Sequence, residues 1–218
     1  MLTQLVIFDL DGTLIDSLGD LADAMNAVLE ERRYPVHSLD SYRHFVGDGI
    51  EMLVRRALPP EVVEKTDIAE AVQQMRREYS TRWTATTRPF PEIPELLVEL
   101  HSRKIRTAVL SNKPNFATLE IVGELFPDNP FEIVRGALEG VPLKPDPTSA
   151  LEIVSELGIQ PERSIFIGDT PVDIKTGRNA GMLAVGVTWG FRSVDELLDA
   201  GADHIIESPL ELLEDLGS

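Results

Sequence analysis

The chain contains no cysteine. That absence excludes disulfides, zinc–thiolate centres and thiol nucleophiles, so any metal must be held by oxygen or histidine. The four histidines, His37, His44, His101 and His204, show no metal-ligand spacing, which leaves oxygen donors. Long apolar runs are missing too. Nothing approaches the ~20 residues of a membrane span, no basic-then-apolar leader is seen, and the expectation is a cytoplasmic protein with no membrane partner. Cations are scarce, 20 Lys and Arg against 37 Asp and Glu, and the net charge of −17 argues against nucleic acid or an anionic surface as partner. After Arg192 there is no Lys or Arg, while eight acids follow, a run that reads as a solvated face. A small anion remains a possible ligand, provided a local cation, backbone N–H groups and one or two placed lysines hold it against that field.

What is present has room to fold. The 218 residues suffice for one sizeable core with a second small domain beside it, and 43% hydrophobic with 26% charged residues is the composition of a globular chain. The apolar run Leu5, Val6, Ile7 leads into Phe8-Asp9-Leu10-Asp11-Gly12-Thr13-Leu14. A buried strand here delivers Asp9 and Asp11 to its carboxyl end, starting on the same side because side chains alternate. At about 4 Å two like charges repel by roughly 4 kcal/mol at an effective dielectric of about 20, so the pair needs a cation, a shared proton or bulk water. Magnesium fits, since it takes one or two carboxylates together with phosphate oxygens and water. Two plainer readings compete. Asp and Gly after a strand are ordinary turn chemistry, whereas a calcium loop needs glycine and glutamate where this chain has Leu14 and Asp20.

Beyond the first strand, Leu18, Leu21, Ala22, Met25, Val28 and Leu29 recur at helical spacing, with Ser17 and Asp20 forming a capping-box-like start. Helices are expected over Leu39 to Phe45, through Met52, Leu53 and Ala57 to a stop at Pro59-Pro60, and along Ile68, Val72, Met75, Tyr79 and Trp83. From Arg88 strands and helices alternate: strands at Thr107 to Leu110, Glu132 to Val134, Ser164 to Ile167, Leu183 to Val187 and His204 to Ile206, the last followed by a helix over Leu210 to Leu216. Alternation implies right-handed crossovers and a parallel sheet, an α/β fold. Residues 15–87 read as an all-helical block inserted at the carboxyl end of the first strand. Ligands of open α/β sheets bind outside those strand ends, so the insert leaves and re-enters the core beside the expected site, the position of a lid.

Three further stretches end strands or open helices. Ser111-Asn112 follows the second long strand, Lys144-Pro145-Asp146-Pro147 precedes a helix, and Gly168-Asp169-Thr170 with Asp173 follows another strand. Singly, each has an ordinary explanation: a helix cap for Ser111 and Asn112, a solvated lysine for Lys144, an N-cap with dipole support for Asp169 and Asp173. Jointly they supply carboxylates, a hydroxyl with neighbouring N–H groups and a cation, the parts of metal-assisted phosphoryl transfer.

These four motifs, in this order, resemble those of the haloacid dehalogenase superfamily of phosphohydrolases over essentially the whole chain. Asp-Gly-Thr-Leu-Ile-Asp-Ser, Ser-Asn-Lys-Pro, Lys-Pro-Asp-Pro and Val-Thr-Trp-Gly-Phe-Arg-Ser, with Phe45-Val46-Gly47-Asp48-Gly49, are similar to its phosphoglycolate phosphatases. The resemblance implies a Rossmann-like, doubly wound parallel core, 1–14 with 88–218, and a small helical cap, 15–87. It implies Mg2+ as cofactor and a small phosphorylated metabolite as substrate, with 2-phosphoglycolate foremost. It also implies Asp9 as nucleophile, Asp11 as acid and base, and Ser111, the Asn112 amide and Lys144 as phosphate holders. Asp9, the Asp11 carbonyl and Asp169 would form the metal site, supported by Thr13 and by Asp173, which binds metal through water or orients Lys144. Gly47, Asp48, Gly49, Lys113 and Arg192, with Arg43, are candidates for substrate choice, although Gly47 to Gly49 suit a plain helix–helix turn equally well. Two other readings stay open: a phosphomutase of the β-phosphoglucomutase type, and a receiver-like module that holds an acyl phosphate without turnover. The oligomeric state is left undefined.

Overall fold

The computed structural model describes residues 2–63 and 68–216. In chain order the elements are β1 (Leu5–Phe8), β2 (Ile15–Asp16), α1 (Leu18–Glu31), α2 (Leu39–Phe45), α3 (Ile50–Ala57), α4 (Pro60–Val63), α5 (Ile68–Arg82) and β3 (Arg88–Pro89). There follow α6 (Ile93–Ser102), β4 (Arg106–Pro114), α7 (Asn115–Leu125), β5 (Ile133–Ala137), α8 (Thr148–Leu157), β6 (Ser164–Gly168), α9 (Pro171–Asn179), β7 (Leu183–Val187), α10 (Val194–Asp199), β8 (His204–Ile206) and α11 (Leu212–Asp215). The chain divides into two compact units, Met1–Ile15 with Pro89–Ser218, and Asp16–Arg88.

The first unit is built on a six-stranded sheet in the order β5-β4-β1-β6-β7-β8, every pairing parallel. β1 is central because it can be: Leu5, Val6, Ile7 and Phe8 are all fully buried, the continuous apolar run that a strand covered on both faces requires. Each such side chain contributes about 1.5–3 kcal/mol when buried. Leu5 and Ile7, two residues apart, face a cluster with Ala108, Phe166 and the inner stripe of α8, Ala150, Ile153 and Val154. On the far side of the sheet order, Ile174 of α9, Ala184 of β7 and Leu197 of α10 form a smaller cluster. The chain runs β1, β4, β5 in one direction and then returns to lay β6, β7 and β8 on the other side of β1. That reversal makes the carboxyl edge of β1 the crevice at which ligands of such sheets bind.

The helical unit is organised around the α1–α5 pair, with α2 and α3 completing it. Tyr42 of α2 is fully buried and its hydroxyl donates to Asn26 Oδ1 of α1 at 2.7 Å. Asn26 also bonds both the N–H and the carbonyl of His37, each at 3.0 Å, so one α1 side chain positions the approach to α2.

Several elements differ from the sequence-based expectation. Ser17 does not cap α1 through its side chain. Asp20 instead accepts from the N–H and hydroxyl groups of both Thr86 and Thr87, at 2.6–3.0 Å, tying the start of the helical block to its end. A four-residue periodic window cannot reveal partners that far along the chain. β4 runs nine residues, through Ser111, Asn112 and Lys113, with an irregularity between Leu110 and Pro114. Pro60 does not only stop α3 but opens α4, a first-turn position where its missing N–H costs nothing. The last expected helix is a 3-10 turn, Pro209–Glu211, followed by α11.

Candidate active site

Asp9 follows β1 directly and is anchored by its own N–H, which donates to the Ile167 carbonyl of β6 at 2.9 Å. Asp169 and Asp173 come from the next strand over, at the end of β6 and the first turn of α9. One carboxylate oxygen from each of Asp9, Asp169 and Asp173 lies within 4.8 Å of the others, and all three residues are buried. Lys144 Nζ is 2.7 Å from Asp9 Oδ1 and 2.7 Å from Asp173 Oδ1. The other Asp173 oxygen accepts from Thr170 N–H at 3.1 Å and Thr170 hydroxyl at 2.6 Å, a capping box that fixes its rotamer.

Three carboxylates and one ammonium leave this buried cluster short of positive charge. Burial, then the charge of Asp173, pushes the Asp9 carboxyl up to about 7, against the opposing pull of Lys144. Asp169 is raised well above the carboxylate range, again by burial first and by Asp173 and Asp9 next. For Lys144, burial alone would lower the value, but Asp173 and Asp9 more than reverse it and hold the ammonium charged. A hard cation with oxygen preference is what the donor set lacks, and magnesium suits it.

Asp169 is seated by the loops around it. Its Oδ2 accepts from Phe191 N–H at 2.8 Å and its Oδ1 from the Thr13 hydroxyl at 3.3 Å. Two glycines admit it: a Cβ on Gly12, whose φ is +87°, would stand 2.3 Å from Asp169 Oδ2, and one on Gly190 would stand 2.2 Å from Asp169 Cβ. Trp189 Nε1 donates to the Thr13 carbonyl at 3.0 Å, closing the Trp189–Phe191 loop onto the loop after Asp11. The grip of the Trp189–Phe191 loop on Asp169 has no local sequence signal, because it consists of one backbone N–H and a missing side chain.

Ser111 and Asn112 stand at the same sheet edge on β4. Ser111 Oγ accepts from Lys113 N–H at 3.1 Å, leaving its own hydroxyl hydrogen to donate. The Asn112 carboxamide bonds both the N–H and the carbonyl of Lys144, at 2.9 and 3.1 Å, so its side chain seats the lysine. Asp11 is turned aside from the three-carboxylate cluster, its oxygens 2.8 and 3.0 Å from Lys113 Nζ. Thus Asp9, Thr13, Lys144, Asp169 and Asp173 come together directly, with Ser111, Asn112 and the Asp11–Lys113 pair in the same unit. Arg192, also there, has Nε 3.8 Å from Glu196 Oε1. Gly47, Asp48 and Gly49 belong to the helical unit, between α2 and α3. Both glycines have positive φ, +119° and +88°, and Asp48 pairs with Arg56 at 2.6 Å. Arg43 stands 3.7 Å from Asp40.

Carboxylates, an ammonium and a hydroxyl at the switch point of a parallel sheet define an α/β enzyme of phosphoryl transfer. The haloacid dehalogenase-like hydrolases match residues 6–187. The chain is 31% identical to the phosphoglycolate phosphatase of Aquifex aeolicus over 97% of its own length and 95% of the relative's. It is 35% identical to that of Psychrobacter arcticus over 86% and 84%. Among solved structures it superposes on a Lactobacillus delbrueckii protein assigned as a phosphoglycolate phosphatase, with a TM-score of 0.92, 31% identity and 99% of each chain covered. A haloacid dehalogenase-like family hydrolase from Streptococcus pneumoniae gives 0.88 and 27%, again over 99% of each chain. The chain belongs to the haloacid dehalogenase-like hydrolase family. It is an enzyme of that family's phosphatase kind, similar to phosphoglycolate phosphatases.

Proposed function

We propose that the protein is a magnesium-dependent phosphomonoesterase that works through an aspartyl-phosphate on Asp9, with 2-phosphoglycolate as its substrate. The observation that carries this reading is the buried Asp9–Asp169–Asp173 cluster bridged by Lys144, beside Ser111 at the carboxyl edge of β1. The chain's similarity to phosphoglycolate phosphatases supports the substrate. Asp9, Asp169 and Asp173, with the Asp11 carbonyl, would hold Mg2+, which when bound neutralises charge on the phosphoryl oxygens and keeps Asp9 ionised.

The residues divide the work. An Asp9 oxygen attacks phosphorus and the phosphorus–ester oxygen bond breaks; Asp11 gives its proton to the departing oxygen. Water then attacks the phosphoryl group, Asp11 takes the water's proton, and the bond to Asp9 breaks to release phosphate. Ser111 Oγ, the Asn112 backbone amide and Lys144 hold the phosphoryl oxygens through both halves. Asp173 holds the Lys144 ammonium beside Asp9 while Asn112 seats the lysine's backbone, so Asp173 is a positioning residue as well as a proposed metal donor.

The helical unit is assigned as the cap, with Gly47, Asp48 and Gly49 as its contribution to substrate choice and Lys113 and Arg192 as the core's. The test is phosphate release with Mg2+ from a panel of 2-phosphoglycolate, sugar phosphates, nucleotides and pyrophosphate. Asp9→Asn, prepared free of host phosphatase, is expected to lose more than about a thousandfold in rate while keeping its fold. Full activity in that variant removes Asp9 as nucleophile. Isomerised sugar phosphate without free phosphate decides for a mutase, and lasting label from acetyl phosphate without turnover for a receiver-like module.

A further inference from the structure

Lys113 is held where lysines seldom are. Its side chain is 6% exposed, and both oxygens of Asp11, itself 13% exposed, lie within 3.0 Å of its ammonium. The backbone is seated as firmly. Its N–H donates to Ser111 Oγ, its carbonyl accepts from the Thr118 hydroxyl at 3.2 Å, and Gly136 passes so close that a Cβ there would stand 2.6 Å from that carbonyl. A lysine that merely shields apolar surface keeps its head in water and needs no such seat.

The position matters as much as the fit. Lys144, also buried, is engaged by Asp9 and Asp173 on the side of the transferring phosphoryl group. Lys113 instead stands beside Asp11, the residue that must meet the leaving oxygen. While both Asp11 oxygens face the ammonium, neither is aimed at an ester oxygen. Something must draw the ammonium away, and an anion on the leaving portion of the substrate has the right charge and reach.

We propose that Lys113 is a specificity-determining residue that trades Asp11 for a carboxylate on the carbon bearing the ester oxygen. The right substrate thereby frees its own acid and base. The inference rests on Asp11 having that role. The exchange breaks no carbon–oxygen or phosphorus–oxygen bond: one ion pair, Lys113 with Asp11, is replaced by another, Lys113 with the substrate, and the freed Asp11 carboxylate takes up from solvent the proton it then gives to the ester oxygen. An uncharged leaving group leaves Asp11 clamped. Short phosphorylated acids are therefore selected in the rate as well as in binding.

The experiment compares 2-phosphoglycolate with ethyl phosphate, which replaces the carboxylate by a methyl group, in the wild type, Lys113→Gln and Lys113→Arg, with Mg2+ and melting curves for each protein. In the wild type kcat/KM favours 2-phosphoglycolate by about tenfold or more. In Lys113→Gln that ratio falls by about tenfold or more, with KM raised for 2-phosphoglycolate and kcat raised for ethyl phosphate, whose acid and base is no longer clamped, and Lys113→Arg restores part of it. Equal losses on both compounds, or an Arg variant with no better ratio than the Gln variant, overturn the proposal. So does a wild type that does not discriminate, whatever the variants do. Release from neither compound by the wild type overturns the phosphatase reading and this inference with it, whereas comparable release from both overturns the inference alone.

Discussion

Asp9 shows how one residue can be both costly and useful. With a folded pKa pushed up from 3.8 to about 7 by burial and by Asp173, it binds more protons in the folded chain than in the unfolded one between those values. Stability from this group therefore falls as pH rises from about 4 to about 7, and the cost is full above that. Mg2+ bound as proposed would favour the ionised carboxylates and offset the cost. Melting curves in EDTA and in Mg2+ are expected to differ more at pH 8 than at pH 5; equal differences would separate the ion from Asp9. Gly190 makes a second prediction at this scale. Its missing Cβ admits Asp169, so Gly190→Ala should displace that carboxylate and weaken Mg2+ about tenfold to a hundredfold, read by titration calorimetry.

At the scale of elements, the strands were legible wherever an apolar run met a polar stop. β1 into Asp9 and β6 into Asp169 are both of that kind, because a buried parallel strand is continuous in sequence. Contacts between elements were not. Ser17 and Asp20 satisfy a local capping pattern, yet Asp20 bonds Thr86 and Thr87 at the far end of the helical block. Burial alone would raise its carboxyl, but those hydrogen bonds more than reverse this and hold it below the usual range. A lowered folded value means stability that is present above about pH 4 and lost as pH falls below it. Asp20→Asn is expected to cost about 2–4 kcal/mol in urea melts at pH 7, with a smaller difference from the wild type at pH 3. The pairing of Asp11 with Lys113 was equally hidden. Each residue stood out by itself, but β4 was expected to end before Lys113, and its extension is what carries the lysine to Asp11.

Over the whole molecule, a net charge of −17 sets the chain against itself. Self-repulsion weakens the compact state and salt screens it, so the melting temperature should climb between about 10 and 150 mM KCl; an unchanged value would mean that local ion pairs dominate. The insertion of the helical unit between β1 and the rest of the sheet has a temporal side. A ribosome makes β1 well before its neighbours: the residues it pairs with, from Arg106 and from Ser164, lie about one hundred and about one hundred and sixty positions later. The strand that ends in Asp9 therefore waits through most of synthesis as an unpaired apolar segment. Meanwhile the helical unit, contiguous from Asp16 to Arg88, has all its partners at hand and can finish early. Asp9 thus emerges well ahead of the strands that complete its surroundings, which makes β1 the segment a nascent-chain chaperone has most reason to hold.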